Sequence, residues 1–136
     1  MAKNKLRLQI ITPTRSVLDS EVDSVVLRTA EGDMGVYYDH EPVVTLLSYG
    51  VLRYKVEGKT YNVTTMSGFA EVTEDKVVVL TDAAELENEI DFARAQAAKE
   101  RAEGRVSNAD YDVARAQVAL RKALVRLSLK KSERGD

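Results

Sequence analysis

The 136-residue chain is predicted to have an α+β fold in two parts, an N-terminal antiparallel β-sandwich followed by an antiparallel hairpin of two helices. Two observations predict this. Up to about residue 84, apolar residues alternate with a period of two and glycines separate short runs, as is typical of strands. After that point proline is absent, and alanines and charged residues recur at helical spacing. We therefore expect a β-sandwich domain over residues 1–84 and a helical domain over residues 85–136.

The N-terminal part contains eight or nine short strand patterns with no helical pattern between them. Leu6, Leu8 and Ile10 begin the series, alternating with polar residues. Later runs are predicted to form two hairpins, with turns at Glu57-Gly58 and Glu74-Asp75. Many short strands without intervening helices indicate an antiparallel sandwich or a flattened barrel.

The C-terminal part is predicted to hold two helices. The first has Asn88 or Asp91 as its candidate N-cap, and the second begins after Ser107 and ends near residue 129, a length of about 30–35 Å. Their apolar faces consist of Leu86, Ile90, Ala93, Ala97 and Ala98 in the first helix and Ala109, Val113, Ala116, Leu120, Ala123, Leu124 and Leu127 in the second. Because these faces are mostly alanine and bury little apolar area, we expect a hairpin that can leave the sandwich. The alternative is a permanently docked hairpin.

Charge is unevenly distributed along the tail. Residues 85–112 contain eight acidic and four basic side chains, whereas residues 113–136 contain seven basic and two acidic ones. Two such helices attract each other if they are antiparallel, and the second is also suited to an acidic partner. The net charge of the whole chain, −2, argues against a general nucleic-acid binder.

The residue types argue against catalysis. The chain has no cysteine, its single His40 lies in a predicted loop beside Pro42, and no nucleotide-binding glycine fingerprint or metal-ligand spacing occurs. No apolar run is long enough to cross a membrane. We therefore expect a cytoplasmic binding protein with no catalytic residue, no metal site and no obligatory cofactor.

Several motifs occur in an order that resembles the epsilon subunit of bacterial F-type ATP synthases. They are Gly32-Asp33-Met34-Gly35-Val36-Tyr37 with His40 and Pro42, Gly50-Val51-Leu52-Arg53, Ser67-Gly68-Phe69-Ala70-Glu71-Val72 and Thr81-Asp82-Ala83-Ala84-Glu85, followed by the alanine-rich two-helix tail. The resemblance covers residues 5 to 130. One departure is Met66-Ser67-Gly68, where the family usually has Ser-Gly-Gly.

This resemblance implies a non-catalytic subunit of the rotating central stalk, with a ten-stranded sandwich bound to the gamma subunit and the c-ring. Asp33 would touch the c-ring and His40 would face gamma. The subunit would lie peripherally at the cytoplasmic face of the bacterial membrane. The tail would be inhibitory, extending along gamma into the alpha/beta catalytic hexamer and blocking ATP hydrolysis. Its basic contacts there would be Arg115, Arg121, Lys122 and Arg126, although an ordinary solvated helix face is the alternative.

Ile90-Asp91-x-x-Arg94-Ala95 resembles the motif of epsilon subunits that bind ATP as a regulatory ligand in the folded hairpin. A helix N-terminus favours phosphate, and Arg94 offers a planar cation. Matching family positions are Glu85, Arg101 and Arg126, while Lys122 stands where such members have arginine. The alternative is that Asp91 is only an N-cap.

Two other classes of function remain open at this point. One is an adaptor whose sandwich binds one protein and whose helices form a coiled coil with another. The other is a small nucleotide-dependent enzyme, against which the missing nucleophiles and metal ligands argue.

Overall fold

The computed structural model describes residues 4–108 and 110–130, and the chain divides into two compact units between Asn88 and Glu89. The sequence placed this boundary between residues 84 and 85. The difference arises because residues 84–86 form a last short strand on the sheet of the first unit and a 3-10 turn, Glu87–Glu89, follows it.

The first unit is an eight-stranded sheet folded into a sandwich-like body. Its strands are β1 (Leu6–Ile11), β2 (Ser16–Val22), β3 (Ser24–Thr29), β4 (Gly32–Val36), β5 (Val43–Val56), β6 (Lys59–Val72), β7 (Lys76–Leu80) and β8 (Ala84–Leu86). They are hydrogen-bonded in the order β2-β1-β7-β6-β5-β3-β4, with β8 pairing on β6. The predicted antiparallel arrangement holds for every described pair except β1 with β7, which is parallel. Apolar alternation does not specify strand direction, so the sequence pattern contains no signal for this exception.

Two strands are longer than the sequence predicted. The sequence pattern predicts separate strands over residues 43–47 and 52–56, which are joined in β5, and over residues 61–66 and 69–72, which are joined in β6, each strand having 14 residues. The backbone of β6 changes direction where Ser67 has φ 68° and Gly68 has φ 112°. Thr81 supports this point by donating its hydroxyl to the Ser67 carbonyl at 2.5 Å. If β5 and β6 are each counted as two strands, the eight strands become the ten that the resemblance implies.

Both predicted hairpin turns are confirmed. Glu57 and Gly58 have φ values of 51° and 81°, so both occupy the left-handed region that a two-residue hairpin turn requires. At the second turn, the Thr73 amide donates to the Lys76 carbonyl at 2.9 Å. These turns set the register of β5 with β6 and of β6 with β7.

The first unit has its own hydrophobic core. Alternate residues of its strands point inward, and the largest of the fully buried side chains in this core are Leu6, Leu8, Ile10, Leu27 and Leu52. Every residue of the core cluster precedes Asn88. The strands of the sandwich therefore bury its inward-facing apolar side chains against one another.

The second unit contains α1 (Phe92–Val106) and α2 (Val113–Leu127), which pack against each other. Each has 15 residues, a length of about 22 Å, so the predicted 30–35 Å for the second helix was wrong. The start predicted at Ser107 was also wrong, because Ser107 ends α1 and Asp112 caps α2. None of the helices in the described residues is long and apolar enough to cross a membrane.

The helix seam differs from the predicted one. In α1 the buried residues are Ala95 and Ala102, whereas Ala93 and Ala97 are exposed and Leu86 belongs to β8. Alanines at many positions of one helix do not mark a unique apolar face, which explains the error. In α2 the buried residues are Ala116 and Ala123, both on the predicted face, although Val113 and Leu124 of that face are exposed and Ala109 lies outside the described residues.

Candidate functional site

The residues of the predicted ATP motif lie at the N-terminus of α1. Asp91 is the N-cap, and its Oδ1 accepts a hydrogen bond from the Arg94 amide at 3.0 Å. Ile90 and Ala95 are only 8% and 3% exposed, while Asp91 and Arg94 are exposed. The N-cap expectation for Asp91 is therefore confirmed, and Asn88 is excluded as the cap. One carboxylate oxygen of Asp91 is occupied by the cap, whereas the Arg94 side chain extends into solvent.

The other residues predicted to bind ATP are divided between the two units. Glu85 lies in β8 of the first unit, where its amide donates to the Thr64 hydroxyl at 3.1 Å. Arg101 lies on α1, and Lys122 and Arg126 lie on α2. Binding of ATP by these residues stays a prediction.

The basic residues of the hairpin form two stripes at helical spacing. Arg94, Arg101 and Arg105 follow one another on α1 at intervals of seven and four residues, with Ala98 between them. On α2, Arg115, Lys122 and Arg126 repeat the same intervals, with Ala119 between them. Arg121 is exposed but lies off this stripe.

At the loop end of the hairpin, three residues of these stripes line one pocket of about 420 Å³. Arg101 and Arg105 come from α1 and Arg115 from α2, and small side chains on both helices leave the space between them. The lining is Ala98, Arg101, Ala102, Arg105, Tyr111, Asp112, Arg115, Ala116 and Ala119. We call this the loop-end pocket. Of its residues, only Arg101 was singled out as an ATP-binding residue from the sequence, and Arg115 was assigned to a different contact.

The arginines of this pocket have no carboxylate partner among the described residues. Arg105 lies over the ring of Tyr111, with its Cζ 5.3 Å from the ring centroid. The nearby carboxylates of α1 are engaged elsewhere, since Glu100 accepts from Gln96 at 3.1 Å and Glu103 pairs with Lys99 at 3.9 Å. Asp112 also lines the pocket, and its Oδ1 accepts from the Arg115 amide at 3.1 Å. The pocket is therefore cationic and open to solvent.

Asp33, the predicted c-ring contact, lies in β4 between two arginines. It accepts from Arg28 Nη1 and from Arg53 Nη2, each at 3.3 Å. These hydrogen bonds, that from Arg53 first, hold the pKa of the Asp33 carboxyl below its usual range. Gly50 allows this arrangement, because a Cβ at that position would lie 2.3 Å from the Cγ of Arg28. The negative charge of Asp33 is therefore balanced by two guanidinium groups, both of which are exposed.

His40, the predicted gamma contact, lies in the loop between β4 and β5. Its Nδ1 is 2.7 Å from the carbonyl oxygen of Glu41. The loop is held to the turn between β6 and β7, because the amide of Asp39 donates to the carbonyl of Glu74 at 2.6 Å. His40 is therefore partly exposed on an anchored loop.

One outer surface of the sandwich presents an apolar row that sequence reasoning did not identify. Leu46, Phe69 and Leu80 pair directly across β5, β6 and β7, and all three are exposed. Ile11 extends the row onto β1. Leu46 and its neighbour on the same face, Val44, are 68% and 63% exposed. We call this surface the apolar row. Hydrophobic alternation cannot find such residues, since it assigns apolar side chains to the core.

Two protein-family models together match residues 5–131 of the chain. Residues 5–87 match the beta-sandwich domain of the ATP synthase delta/epsilon chain, and residues 88–131 match its long alpha-helix domain. The chain belongs to this family. The family boundary between residues 87 and 88 lies one residue before the division between the two compact units.

Curated relatives of this delta/epsilon-family chain are named as ATP synthase epsilon chains. That of Symbiobacterium thermophilum is 48% identical over 125 residues, with 90% of each chain covered. That of Desulforamulus reducens is 44% identical over 129 residues, covering 93% of this chain and 97% of the relative. These relatives are named as a subunit of the synthase.

Two solved structures contain chains with a similar fold. A chain in the OSCP/F1/c-ring structure of the Euglena gracilis mitochondrial ATP synthase has a TM-score of 0.81 and 28% identity, covering 92% of this chain and 80% of that chain. A chain in the central stalk/c-ring structure of the Tetrahymena thermophila enzyme has a TM-score of 0.59 at 16% identity, with coverage of 93% and 96%, and shows a similar fold.

Proposed function

We propose that the chain is the epsilon subunit of a bacterial F-type ATP synthase, a non-catalytic part of the central stalk that connects gamma to the c-ring. The family, the bacterial epsilon-chain relatives and the similarity to a chain from an F1/c-ring structure support this role. Its place would be peripheral, at the cytoplasmic face of the membrane.

The observation that carries the proposal is the apolar row of the sandwich. Exposed, contiguous apolar side chains on a rigid sheet are typical of a surface that binds another protein. The row spans four paired strands, so its shape is set by the sheet and changes little on binding. We assign this surface to gamma.

Replacing Leu46 with aspartate tests the assignment. Leu46 is exposed in the isolated chain, so Leu46→Asp is expected to fold normally while placing a charge in the apolar interface. Lys55→Asp is the matched control, because Lys55 is exposed on the same strand, nine residues away or about 30 Å. Binding to purified gamma should weaken strongly for Leu46→Asp and little for the control. Equal binding by both variants would reject the apolar row as the gamma surface.

The c-ring contact is assigned to the β3–β4 hairpin that carries Asp33. Because Asp33 is already paired with Arg28 and Arg53, the surface offered to the c-ring is a polar network rather than a free carboxylate. Crosslinking from Asp33→Cys and His40→Cys in a reconstituted complex tests these positions. Products with the c subunit from the first and with gamma from the second are expected, and the reverse pattern would contradict the assignment.

The hairpin would act as the inhibitory element, leaving the sandwich and placing Arg115, Arg121, Lys122 and Arg126 against the catalytic hexamer. Its seam supports this, since the buried residues of each helix are alanines. A chain ending at Asn88 retains β8 and the whole core of the first unit, whereas a chain ending at Asp82 would lose β8. Reconstituted enzyme that contains the chain ending at Asn88 should assemble normally and hydrolyse ATP faster than enzyme with the full chain. Unchanged hydrolysis would refute an inhibitory hairpin.

ATP would favour the folded hairpin by binding at Ile90, Asp91, Arg94 and Ala95. A ligand that binds only the folded form increases its population by mass action. Calorimetric titration of the full chain with ATP, with Arg94→Ala as the control variant, tests this step. Saturable binding that the variant loses would support ATP sensing, and binding that the variant retains would contradict it.

A further inference from the structure

Beside the apolar row, the sandwich has a groove where two parallel strands end together. β1 and β7 run parallel, and their last residues, Ile11 and Leu80, pair with each other. The chain then leaves the sheet through Thr12-Pro13 after β1 and through Thr81-Asp82 after β7, next to the bend of β6 at Gly68. These segments enclose a groove of about 410 Å³, which we call the strand-end groove. The side chains that matter for its chemistry are those of Ile11, Pro13, Phe69, Leu80 and Asp82.

Close backbone contacts hold the strand-end groove in shape. A Cβ on Gly68 would lie 2.0 Å from the carbonyl oxygen of Leu80, so the two strands approach each other with no side chain between them. The amide of Thr81 donates to the carbonyl of Ile11 at 3.1 Å, and its hydroxyl donates to the carbonyl of Ser67 at 2.5 Å. The groove is therefore formed before any partner binds.

The walls of the groove are apolar and carry one free acid. Phe69 and Leu80 are 42% and 37% exposed, so an aromatic ring and an aliphatic side chain face solvent. The hydroxyls of Thr12 and Thr81 already have hydrogen-bond partners. Asp82 is exposed, and in the part of the chain that the structure describes its carboxylate has no hydrogen-bond or ion-pair partner. The groove thus offers apolar contact together with one unpaired negative charge.

We infer that the strand-end groove holds a basic side chain of gamma, for which arginine is the best match. The groove adjoins the apolar row that we assign to gamma, and the inference rests on that assignment. Ile11, Phe69 and Leu80 belong both to the row and to the groove, so a partner that covers the row also covers the groove. Basic side chains lay their apolar stems on apolar surface while the charged end reaches a polar group. Arginine fits best, because its guanidinium stacks on aromatic rings and donates two hydrogen bonds to a carboxylate.

The charge of Asp82 selects among the possible occupants. When gamma covers the apolar row, the neighbouring carboxylate loses part of its water, and burying it without a partner costs free energy. An apolar side chain in the groove would leave this cost uncompensated, and an acidic one would be repelled. A cation from the partner offsets the cost and makes the two surfaces complementary in charge. Charge complementarity therefore favours a basic occupant.

Asp82→Asn tests the inference, because asparagine has nearly the size of aspartate but no charge. Binding of the full-length chain to purified gamma is measured by calorimetry at several salt concentrations. We expect the dissociation constant to rise roughly tenfold, the loss typical of one hydrogen bond to a charged group. The affinity should also depend less on salt than that of the wild type, since one ion pair is missing. Glu21→Gln, which removes an exposed charge from β2, should match the wild type in both measurements.

A double-mutant cycle shows whether one side chain of gamma contacts both parts of the groove. Phe69→Leu removes the aromatic ring and keeps an apolar residue. If the same arginine lies on the ring and pairs with the carboxylate, Asp82→Asn should weaken binding less in the Phe69→Leu background than in the wild type. Additive losses would overturn the inference. Both side chains are exposed, so the melting temperatures of the variants should stay close to that of the wild type.

Comparison with Leu46→Asp separates this inference from the gamma assignment itself. If Leu46→Asp loses gamma binding while Asp82→Asn keeps the affinity and salt dependence of the wild type, the basic occupant is overturned and the gamma surface stands. If both variants bind gamma as the wild type does, both proposals are overturned.

A basic residue of this chain is the alternative occupant, since Lys131 and Arg134 lie near the C-terminus. Amide chemical shifts of the full chain, recorded without gamma, are compared with those of a chain ending at Lys130. Equal shifts at Phe69 and Leu80 are expected. Shifts there that depend on the last six residues would overturn the inference, because the groove would then be filled by this chain.

Discussion

Replacing Asp91 with alanine should destabilise the start of α1 and leave the sandwich unchanged. The substitution removes the 3.0 Å hydrogen bond from the Arg94 amide to Asp91 Oδ1 and leaves that amide without a protein acceptor at an exposed helix end. Loss of an N-cap typically costs about 1 kcal/mol, which is about a fivefold change in the equilibrium between the closed and frayed first turn. Because α1 packs on α2 through alanines, the hairpin has little other stabilisation with which to mask this loss.

Amide hydrogen exchange measures the effect directly. Exchange at residues 94–98 should accelerate about fivefold in Asp91→Ala, while the core amides of β1 should keep their protection. Asp91→Asn is the matched control, because asparagine caps helices as well as aspartate does. Asp112→Ala should produce the same acceleration at the start of α2. If Asp91→Asn accelerated exchange as much as Asp91→Ala, the carboxylate charge rather than the cap would be responsible, and the reasoning would be refuted.

Three further predictions concern the sandwich. Gly68→Ala should lower the melting temperature sharply, because Gly68 has a φ of +112° and the new Cβ would lie 2.0 Å from the carbonyl oxygen of Leu80. A melting temperature equal to that of the wild type would contradict the bend of β6 at Ser67 and Gly68. Leu52→Ala should lower the free energy of unfolding in urea by about 3 kcal/mol, since Leu52 is fully buried, whereas the exposed Leu46→Ala should change it little. The ion pairs of Asp33 should stabilise the fold at neutral pH and lose this effect on acidification. Its arginine partners lower the pKa of Asp33 in the folded state, so protonation of Asp33 at low pH destabilises the folded protein relative to the unfolded one. The difference in melting temperature between the wild type and Asp33→Asn should accordingly shrink below about pH 4, and a difference that persisted at low pH would contradict the ion-pair explanation.

Local patterns predicted most of the elements. Alternation at Leu6, Leu8 and Ile10 identified β1, and Glu57-Gly58 identified the central hairpin because a left-handed turn needs residues that tolerate positive φ. The prediction that Asp91 caps the start of α1 was correct. The prediction that Ser107 starts α2 was wrong, because a serine hydroxyl can also donate to the last carbonyls of a helix, as that of Ser107 does to Glu103 and Gly104 of α1.

The hairpin shows why part of the candidate site was missed. Each basic residue was visible in the sequence, but Arg105, Tyr111 and Asp112 had no pattern linking them to Arg101 across the interhelical loop. The same spacing of basic residues on both helices was the available signal. Only the packing of α1 on α2 shows that the end of one stripe and the start of the other line the same pocket.

The sequence by itself determined the two-part organisation, the strand and helix content, the resemblance to the epsilon family and the residue types at the start of α1. These properties depend on interactions between neighbours along the chain, namely side-chain periodicity, turn preference and capping. The tertiary structure alone decided the parallel pairing of β1 with β7, the pairing of Asp33 with Arg53, the exposed apolar row and the loop-end pocket. The physical reason is that each of these features joins residues far apart in the chain, and their contacts are set by how whole strands and helices pack.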